Sequence, residues 1–420
     1  MAGKHILVIS QYFYPESFRI NDMCREWVKR GYRVTVVTGI PNYPEGRFYK
    51  GYGWFKKRRE VWEGVQILRL PLISRGKSSL RLICNYLSFV FFGWWWKLFT
   101  RLRADLVFTF EVSPMTQALL GVWYARKRRV PHYLYVQDLW PENVEIIMGI
   151  KNRCIIGPIE RMVRRIYRSC DGILATSPSF VQQIRKRLDT NREKVVYVPQ
   201  YAEDFYVPMP KCAVPSIPDD GRFKIVFTGN IGRAQGLDIL PRTAALLRQM
   251  HEDDVCFVIV GGGRYREEFY KDIEDRHVSS SFVLIDRQPP QDVPRLLSAC
   301  DAAFISFMDN ALFANTIPAK LQSYMACAMP ILASACGETE RILREASCGI
   351  CCPIGDEQAL AQAILRMKAM PQEQLRAYGE ASRAYYEQTF SKQTVTDQLL
   401  SIFEKERDVA DITDEKTGNI

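Results

Sequence analysis

Histidine is nearly absent from this 420-residue sequence, which has four copies. Its twelve cysteines are scattered; only Cys348, Cys351 and Cys352 lie close together, and no paired CxxC…CxxC arrangement occurs. Zinc sites draw on clustered His and Cys, so none is expected, and the cysteines read as free thiols of a reducing compartment. No Asp-x-Asp occurs, which removes the obvious carboxylate clamp for a divalent ion on a diphosphate. There is no solenoid-period repeat and no low-complexity tract. No secretory leader is expected: Met1–His5 runs straight into Ile6-Leu7-Val8-Ile9-Ser10, an apolar run too short for a leader core and followed by no cleavage pattern.

What is present is an ordinary globular composition, 47% hydrophobic and 25% charged, which excludes disordered, collagen-like and disulfide-scaffold proteins. The length suits two large domains. Charge is unevenly spread. Residues 1–200 hold 34 Lys+Arg and 15 Asp+Glu, net +19, while the remainder holds 23 and 32, net −9. A basic half beside an acidic one points to an anionic surface or ligand near the first half.

One stretch, Leu82–Phe99, carries almost no charge and includes Trp94-Trp95-Trp96. Its length is close to that of a membrane span. Consecutive tryptophans favour an interface where one ring edge stays wet. The expectation is a helix lying in the headgroup layer, with a buried core helix and a true span as the other readings. The runs Lys56–Arg59, Arg126–Arg129 and Arg161–Arg168 read as solvated faces, or, beside the Trp segment, as a surface docked on anionic lipid. Nucleic-acid binding would need aromatics interleaved among the basic residues and leaves the Trp cluster unexplained.

Short apolar runs alternate with helical patterns. In the first half they are Ile6–Ser10, Val34–Thr38, Val65–Leu70, Leu106–Phe110, His132–Gln137, Gly172–Thr176 and Val195–Val198. In the second they are Phe223–Thr228, Val255–Val260, Phe282–Ile285, Ala302–Phe307, Pro330–Ala333 and Gly349–Cys352. Continuous apolar runs suit parallel strands buried on both faces. The fold class is therefore α/β, two Rossmann-like doubly wound domains facing a central cleft. The boundaries expected are 1–199 for a first domain with the membrane-associating segment, 200–221 for a proline-rich linker, 222–404 for a second domain, and 405–420 for a polar tail.

Ligands of such sheets bind outside the strand ends, at helix N-termini. Thr228-Gly229-Asn230-Ile231-Gly232-Arg233-Ala234-Gln235-Gly236 follows a strand and opens a helix. Its glycines let amides approach a pyrophosphate, with Arg233 adding charge, although such turns also serve packing. Val260-Gly261-Gly262-Gly263 repeats the logic one strand later, for a base or ribose or simply as a loose turn. In Asn315–Pro330, Thr316 is a candidate N-cap, Pro318 suits a first turn, and Ala319 and its neighbours would offer free amides. Lys320 lies one turn in, within reach of phosphates. Glu338 opens the next helix, to bond ribose or sugar hydroxyls or to cap that helix.

In the first half, Glu16 and Arg19 lie in the loop after the first strand, Tyr43 in the loop after the second, Glu111 after Phe110 and Asp138 after Gln137. Asp138 is the first choice for an acid/base or hydroxyl anchor, with Glu16 and Arg19 as further catalytic candidates. Tyr43 suits stacking on an acceptor sugar and Glu111 is the second acceptor-side carboxylate. Each also has a purely structural reading.

The segment Asn315–Ser334, with the turn Gly229–Gly236 and the later Gly349 and Gly355-Asp356, resembles the donor domain of glycosyltransferase family 4, whose fold is GT-B. The opening Gln11-Tyr12-Phe13-Tyr14-Pro15-Glu16-Ser17-Phe18-Arg19 resembles bacterial members that build O-antigen, capsule and colanic-acid-type polysaccharides, N-acetyl-L-fucosaminyltransferases among them. The resemblance implies a retaining hexosyl or hexosaminyl transferase. Its donor would be a nucleotide sugar, UDP by resemblance, held by Gly229, Asn230, Gly232, Arg233, Gln235, Gly262, Thr316, Pro318, Ala319, Lys320 and Glu338. Its acceptor would be a polyprenyl-diphosphate-linked saccharide at the inner face of the cell membrane. No cofactor and no metal are expected. Many family members carry Arg and Lys where this chain has Asn230 and Gln235, and two glutamates where it has Asn315 and Ser323, so those roles are not carried over. A nucleotide-sugar 2-epimerase of similar architecture and a non-catalytic membrane-docking protein are the alternatives.

Overall fold

The computed structural model describes residues 3–76, 78–147, 149–150 and 152–417. The chain divides into two compact units, Met1–Tyr197 and Val198–Ile420. Both are α/β with largely parallel sheets, as the alternating apolar runs require.

The first unit contains β1 (His5–Ile9), β2 (Arg33–Gly39), β3 (Arg59–Trp62), β4 (Val65–Leu70), β5 (Leu106–Glu111), β6 (His132–Val136), β7 (Gly172–Ala175) and β8 (Val195–Tyr197). Its helices are α1 (Arg19–Lys29), α2 (Ser79–Phe99), α3 (Ala118–Arg128), α4 (Glu142–Ile147), α5 (Arg153–Ser169) and α6 (Pro178–Arg187). The sheet order is β3-β4-β2-β1-β5-β6-β7-β8. Successive strands move one way from β1 and the other way from β5, so the winding reverses between these two central strands. There β1 and β5 pair in parallel, Ile6 against Leu106 through Ile9 against Thr109. Both are buried along their whole length. Helix α1 covers them with Ile20, Met23, Cys24 and Trp27, an i, i+3, i+4, i+7 stripe. Trp27 is fully buried and meets Phe108 edge-on at 5.0 Å.

One strand, β3, was not expected. It pairs antiparallel with β4 at the sheet edge, Arg59 against Leu68 and Trp62 against Val65. Its Arg-Glu-Val-Trp sequence is solvated along one side, so no apolar run announces it.

The second unit contains β9 (Phe223–Asn230), β10 (Val255–Gly262), β11 (Phe282–Ile285), β12 (Ala302–Ser306), β13 (Ile331–Ser334) and β14 (Gly349–Cys352). Its helices are α7 (Ile239–Gln249), α8 (Arg266–Asp275), α9 (Val293–Ser298), α10 (Ala311–Ala314), α11 (Ala319–Ala326), α12 (Glu338–Ala346), α13 (Glu357–Lys368), α14 (Gln372–Tyr385) and α15 (Lys392–Thr417). The order β11-β10-β9-β12-β13-β14 reverses between β9 and β12. Residues 200–221, read as a linker, are held to this unit: the Gln200 and Ala202 carbonyls accept from Gln322 and Tyr386, and Lys211 pairs with Asp301 at 2.7 Å. The expected polar tail continues α15 as far as Thr417, and 418–420 lie outside the described residues.

Replacing Trp27 with Ala empties a large site that touches both α1 and the central strands. Chemical denaturation should show a loss of about 3–5 kcal/mol in the stability of the first unit.

Candidate functional site

Where a doubly wound sheet reverses direction, the helices diverge and leave a crevice outside the strand ends. Each unit has its own such point, and the side chains gathered at each differ in kind.

In the first unit the loops after β1 and β5 are tied together by the Gln11 amide donating to Gln117 Oε1 at 2.7 Å. Between them lies a cavity of about 350 Å³ lined by Tyr12, Phe18, Tyr43, Arg75, Leu82, Tyr86, Val112, Ser113, Asp138, Trp140, Asn143 and Val144. The Tyr12 and Phe18 rings stack at 5.2 Å, and Tyr43 tilts against both at 5.6 and 5.4 Å. Arg75 lies over the Tyr43 ring at 5.2 Å and donates to the Tyr12 hydroxyl at 3.2 Å. Asp138 is the carboxylate among the lining residues. Its Oδ2 accepts from the Ser113 amide and hydroxyl, both at 2.7 Å. The Ser113 Oγ in turn accepts from Trp140 Nε1 and Asn143 Nδ2. This chain of bonds fixes the carboxylate on aromatic walls, a combination of flat apolar faces and one oriented acceptor that suits a sugar with its hydroxyls.

The other first-unit candidates are placed elsewhere. Glu16 does not reach the cavity. It is buried, and its carboxylate accepts from the backbone amides of Asn42 (2.7 Å), Tyr43 (2.6 Å) and Phe13 (3.3 Å). It therefore pins the β2 loop that carries Tyr43 to the β1 loop, so its role is to position Tyr43, a correction to the catalytic reading. Desolvation raises its pKa to about 7 against those amide bonds. Glu111 is fully buried and lies outside the cavity lining, so it cannot bond an acceptor directly. Burial first, and then the Asp138 charge, push it well above the carboxylate range. Arg19 opens α1 and likewise lies outside the lining. The fully buried His132 bonds Thr109 at 2.7 Å and is kept neutral by burial, with its pKa lowered to about 3.

In the second unit the crevice lies between the ends of β9 and β12. Ser306 Oγ donates to the Gln235 carbonyl at 2.6 Å, and the Met308 amide to that of Ala234 at 3.2 Å, so the β9 loop is strapped across the end of β12. Gly229 has φ +132° and Gly236 φ +59°, conformations that L side chains rarely adopt. Lys320 crosses this crevice. Its ammonium donates to Gln235 Oε1, lies 4.6 Å from the Phe227 ring centroid, and would be 3.8 Å from a Cβ at Gly229. No described carboxylate pairs with it, and desolvation lowers its pKa to about 7. A half-dehydrated lysine beside an open glycine backbone is poised to take up a proton when an anion arrives.

Gly232, Asn230 and Gly262 surround the same loop: the Ile231 amide donates to the Gly262 carbonyl at 3.0 Å, and the Gly232 amide to that of Asn230 at 3.1 Å. Helix α11 starts at Ala319 with Pro318 as its N-cap, two positions later than a Thr316 cap would place it. Thr316 does not cap it; its hydroxyl turns back to the Leu312 carbonyl of α10 at 2.9 Å. The Leu321 amide donates to the Pro318 carbonyl at 3.0 Å, and the Ala319 and Lys320 amides before it have no intrahelical acceptor. Arg233 is exposed and paired with Glu268 at 2.5 Å, above the Tyr265 ring. Its charge is thus partly spent. Glu338 opens α12 but is buried and held by Arg341 Nε at 2.9 Å. Sequence reasoning missed Tyr12, Phe18, Arg75, Tyr86 and Trp140 as lining groups. The aromatic density around Tyr12–Phe18 was the available signal.

Two sheets of this kind, each open at its reversal, define the GT-B class. The model of the family described as "Glycosyl transferase 4-like domain" matches residues 17–200, and that of "Glycosyl transferases group 1" matches 214–385. The chain belongs to the family 4 glycosyltransferases and is a transferase enzyme. A protein of Escherichia coli K12 named as a colanic acid biosynthesis glycosyl transferase, WcaI, is 24% identical over 94% of this chain and 98% of its own. The sucrose-phosphate synthase of Thermosynechococcus elongatus superposes with a TM-score of 0.74 at 15% identity, covering 97% of this chain and 100% of that one. HepE of Anabaena, solved with UDP-glucose, gives 0.66 at 14% identity over 96% of this chain and 100% of its own.

Glu16 adds a pH signature. Its folded pKa of about 7 lies above the ordinary value of 4.5, so the folded state holds the proton longer. Stability of the first unit should fall as pH rises from about 4.5 to about 7 and level off above. In Glu16→Gln this slope should vanish from urea midpoints measured across that range.

Proposed function

We propose that this glycosyltransferase retains anomeric configuration and moves a hexose or N-acetylated deoxyhexosamine from a UDP-sugar to a lipid-linked oligosaccharide in bacterial surface polysaccharide synthesis, of the O-antigen or capsule kind. The observation that carries the donor half is Lys320 beside Gly229. A cation with no carboxylate partner among the described residues, set in the first turn of α11 beside the Cβ-free backbone of Gly229, suits a diphosphate. HepE was solved with UDP-glucose, which favours uridine as the base.

In this reading the acceptor hydroxyl attacks the anomeric carbon on the face the diphosphate leaves. The C–O bond to UDP breaks, its electron pair departs with the diphosphate, and a donor phosphate oxygen takes the hydroxyl proton. Lys320 and the α11 amides stabilise the charge that develops on UDP. Asp138 orients the acceptor by accepting from one of its hydroxyls against the Tyr12, Phe18 and Tyr43 rings. No divalent ion enters the scheme.

The membrane half of the proposal rests on α2. Its buried positions are Asn85, Ser88, Phe89 and Gly93, while Leu80, Ile83, Leu87, Phe91, Trp94, Trp95, Leu98 and Phe99 are exposed. This inverts the amphipathicity of an ordinary surface helix. The neighbouring loop adds Phe55, 93% exposed, beside Lys56 and Lys57. Among the described residues no helix is long and apolar enough to cross a membrane. A helix lying in the inner-face headgroups, with basic neighbours on anionic lipid, accounts for this arrangement.

Lys320→Met should weaken UDP binding by about tenfold or more in calorimetry. Binding to the wild-type protein at pH 8 should be accompanied by proton uptake, read from buffers of differing ionisation enthalpy. Asp138→Asn should leave UDP affinity unchanged and cut transfer to a membrane lipid extract by about 100-fold or more. EDTA should change neither.

A further inference from the structure

Beside the edge hairpin β3–β4 runs a groove of about 1200 Å³ that the reaction scheme does not use. One wall is aromatic, from Phe92, Trp95, Trp96 and Phe99 of α2, and the opposite side is built by Val61, Ile67 and Leu68 of the hairpin. Its charged lining is Arg58, Arg59, Glu60 and Arg101. Glu60 is already taken by Arg69 at 2.7 Å, and Arg58 by the Arg69 and Trp54 carbonyls. Arg59 and Arg101 form no ion pair with any described residue, so the rim is left positive.

The same helix builds the sugar-sized cavity. Leu82 and Tyr86 line that cavity, and Phe92 begins the groove. Six residues of helix separate Tyr86 from Phe92, about 9 Å of rise. One molecule with a sugar at one end and a single hydrocarbon chain at the other can therefore occupy both. An anionic link between its ends would pass Arg75 of the cavity and Arg59 of the rim. A two-chained glycerophospholipid carries at most a small head group toward the aromatic cavity, not a saccharide.

We propose that the groove between β3–β4 and the second half of α2 holds the isoprenoid chain of the lipid that carries the acceptor saccharide, with its phosphate toward Arg59. The proposal deepens the lipid-linked acceptor reading and rests on it. Trp95 and Phe99 belong to both the groove and the exposed stripe, but Val61, Gln66 and Arg59 belong to the groove alone, so substitutions there separate chain binding from membrane docking.

Geranylgeranyl monophosphate serves as the probe, below its aggregation threshold, by equilibrium dialysis against the full chain. One saturable site is expected. Val61→Trp and Gln66→Trp place rings in the groove at exposed positions and add no cavity to the core. Each should lower affinity at least tenfold, and Arg59→Ala should lower it several-fold for the phosphate but not for geranylgeraniol. The same variants should still float with phosphatidylglycerol–phosphatidylethanolamine vesicles. Wild-type affinity in both tryptophan variants would overturn the groove assignment and leave docking untouched. Displacement of the probe by dihexanoyl phosphatidylglycerol but not by farnesyl phosphate would overturn the isoprenoid assignment. Leu87→Glu with Phe91→Glu tests the other reading: unchanged flotation there sinks membrane docking whatever the groove binds.

Discussion

A parallel strand pair cannot be closed by a tight turn, so apart from the β2–β3–β4 edge the connections in these sheets travel over a face and return through a helix. The winding must start in the middle and move outward both ways. That constraint leaves one place per sheet where no crossover covers the strand ends, between β1 and β5 and between β9 and β12. All else in the two candidate sites is a matter of which side chains the adjacent loops deliver there. The first unit delivers rings, one arginine and one oriented carboxylate. The second delivers bare amides and a lysine. One set suits a polyol and the other a polyanion, and a glycosyltransferase needs both.

The supporting interactions are mostly polar bonds between segments distant in sequence. Glu16 reaches amides 26 and 27 residues away, and Gln11 is bound by Gln117 at one side and binds Asn85 at the other. These bonds hold loops that carry no secondary structure of their own. A carboxylate accepting three amides makes a rigid corner, and rigid corners keep Tyr43 and Phe18 in ring contact.

The strands were legible because burial on both faces writes a continuous apolar run, and all thirteen runs read from the sequence end within two residues of the observed strand. The edge strand β3 was not legible, because its Arg-Glu-Val-Trp sequence alternates with solvent and lies in a charge run. That Lys320 comes beside the β9 glycines was legible in part, because a Gly-rich turn after one strand and the start of a helix after another meet where the sheet reverses. Glu16 was misread because a loop carboxylate at a strand end has the same local sequence whether it faces substrate or backbone. Only the approach of Asn42 and Tyr43 decides it. Arg75 gave no local signal, since its partners Tyr12 and Tyr43 come from other loops. Thr316 was assigned to the wrong helix because α10, a single turn, intervenes.

Asn85 and Ser88 fix the roll of α2. Asn85 accepts from Gln11 and donates to the Ile73 carbonyl at 2.6 Å, and the Ser88 hydroxyl takes the Ile73 amide at 2.9 Å. Rotating the helix about its long axis to hide its tryptophans would strand all of these groups away from water, each at a cost of about 1–3 kcal/mol. The roll angle is therefore locked by pegs on the inner side. Apolar rings are held outward whether or not a bilayer is there to receive them.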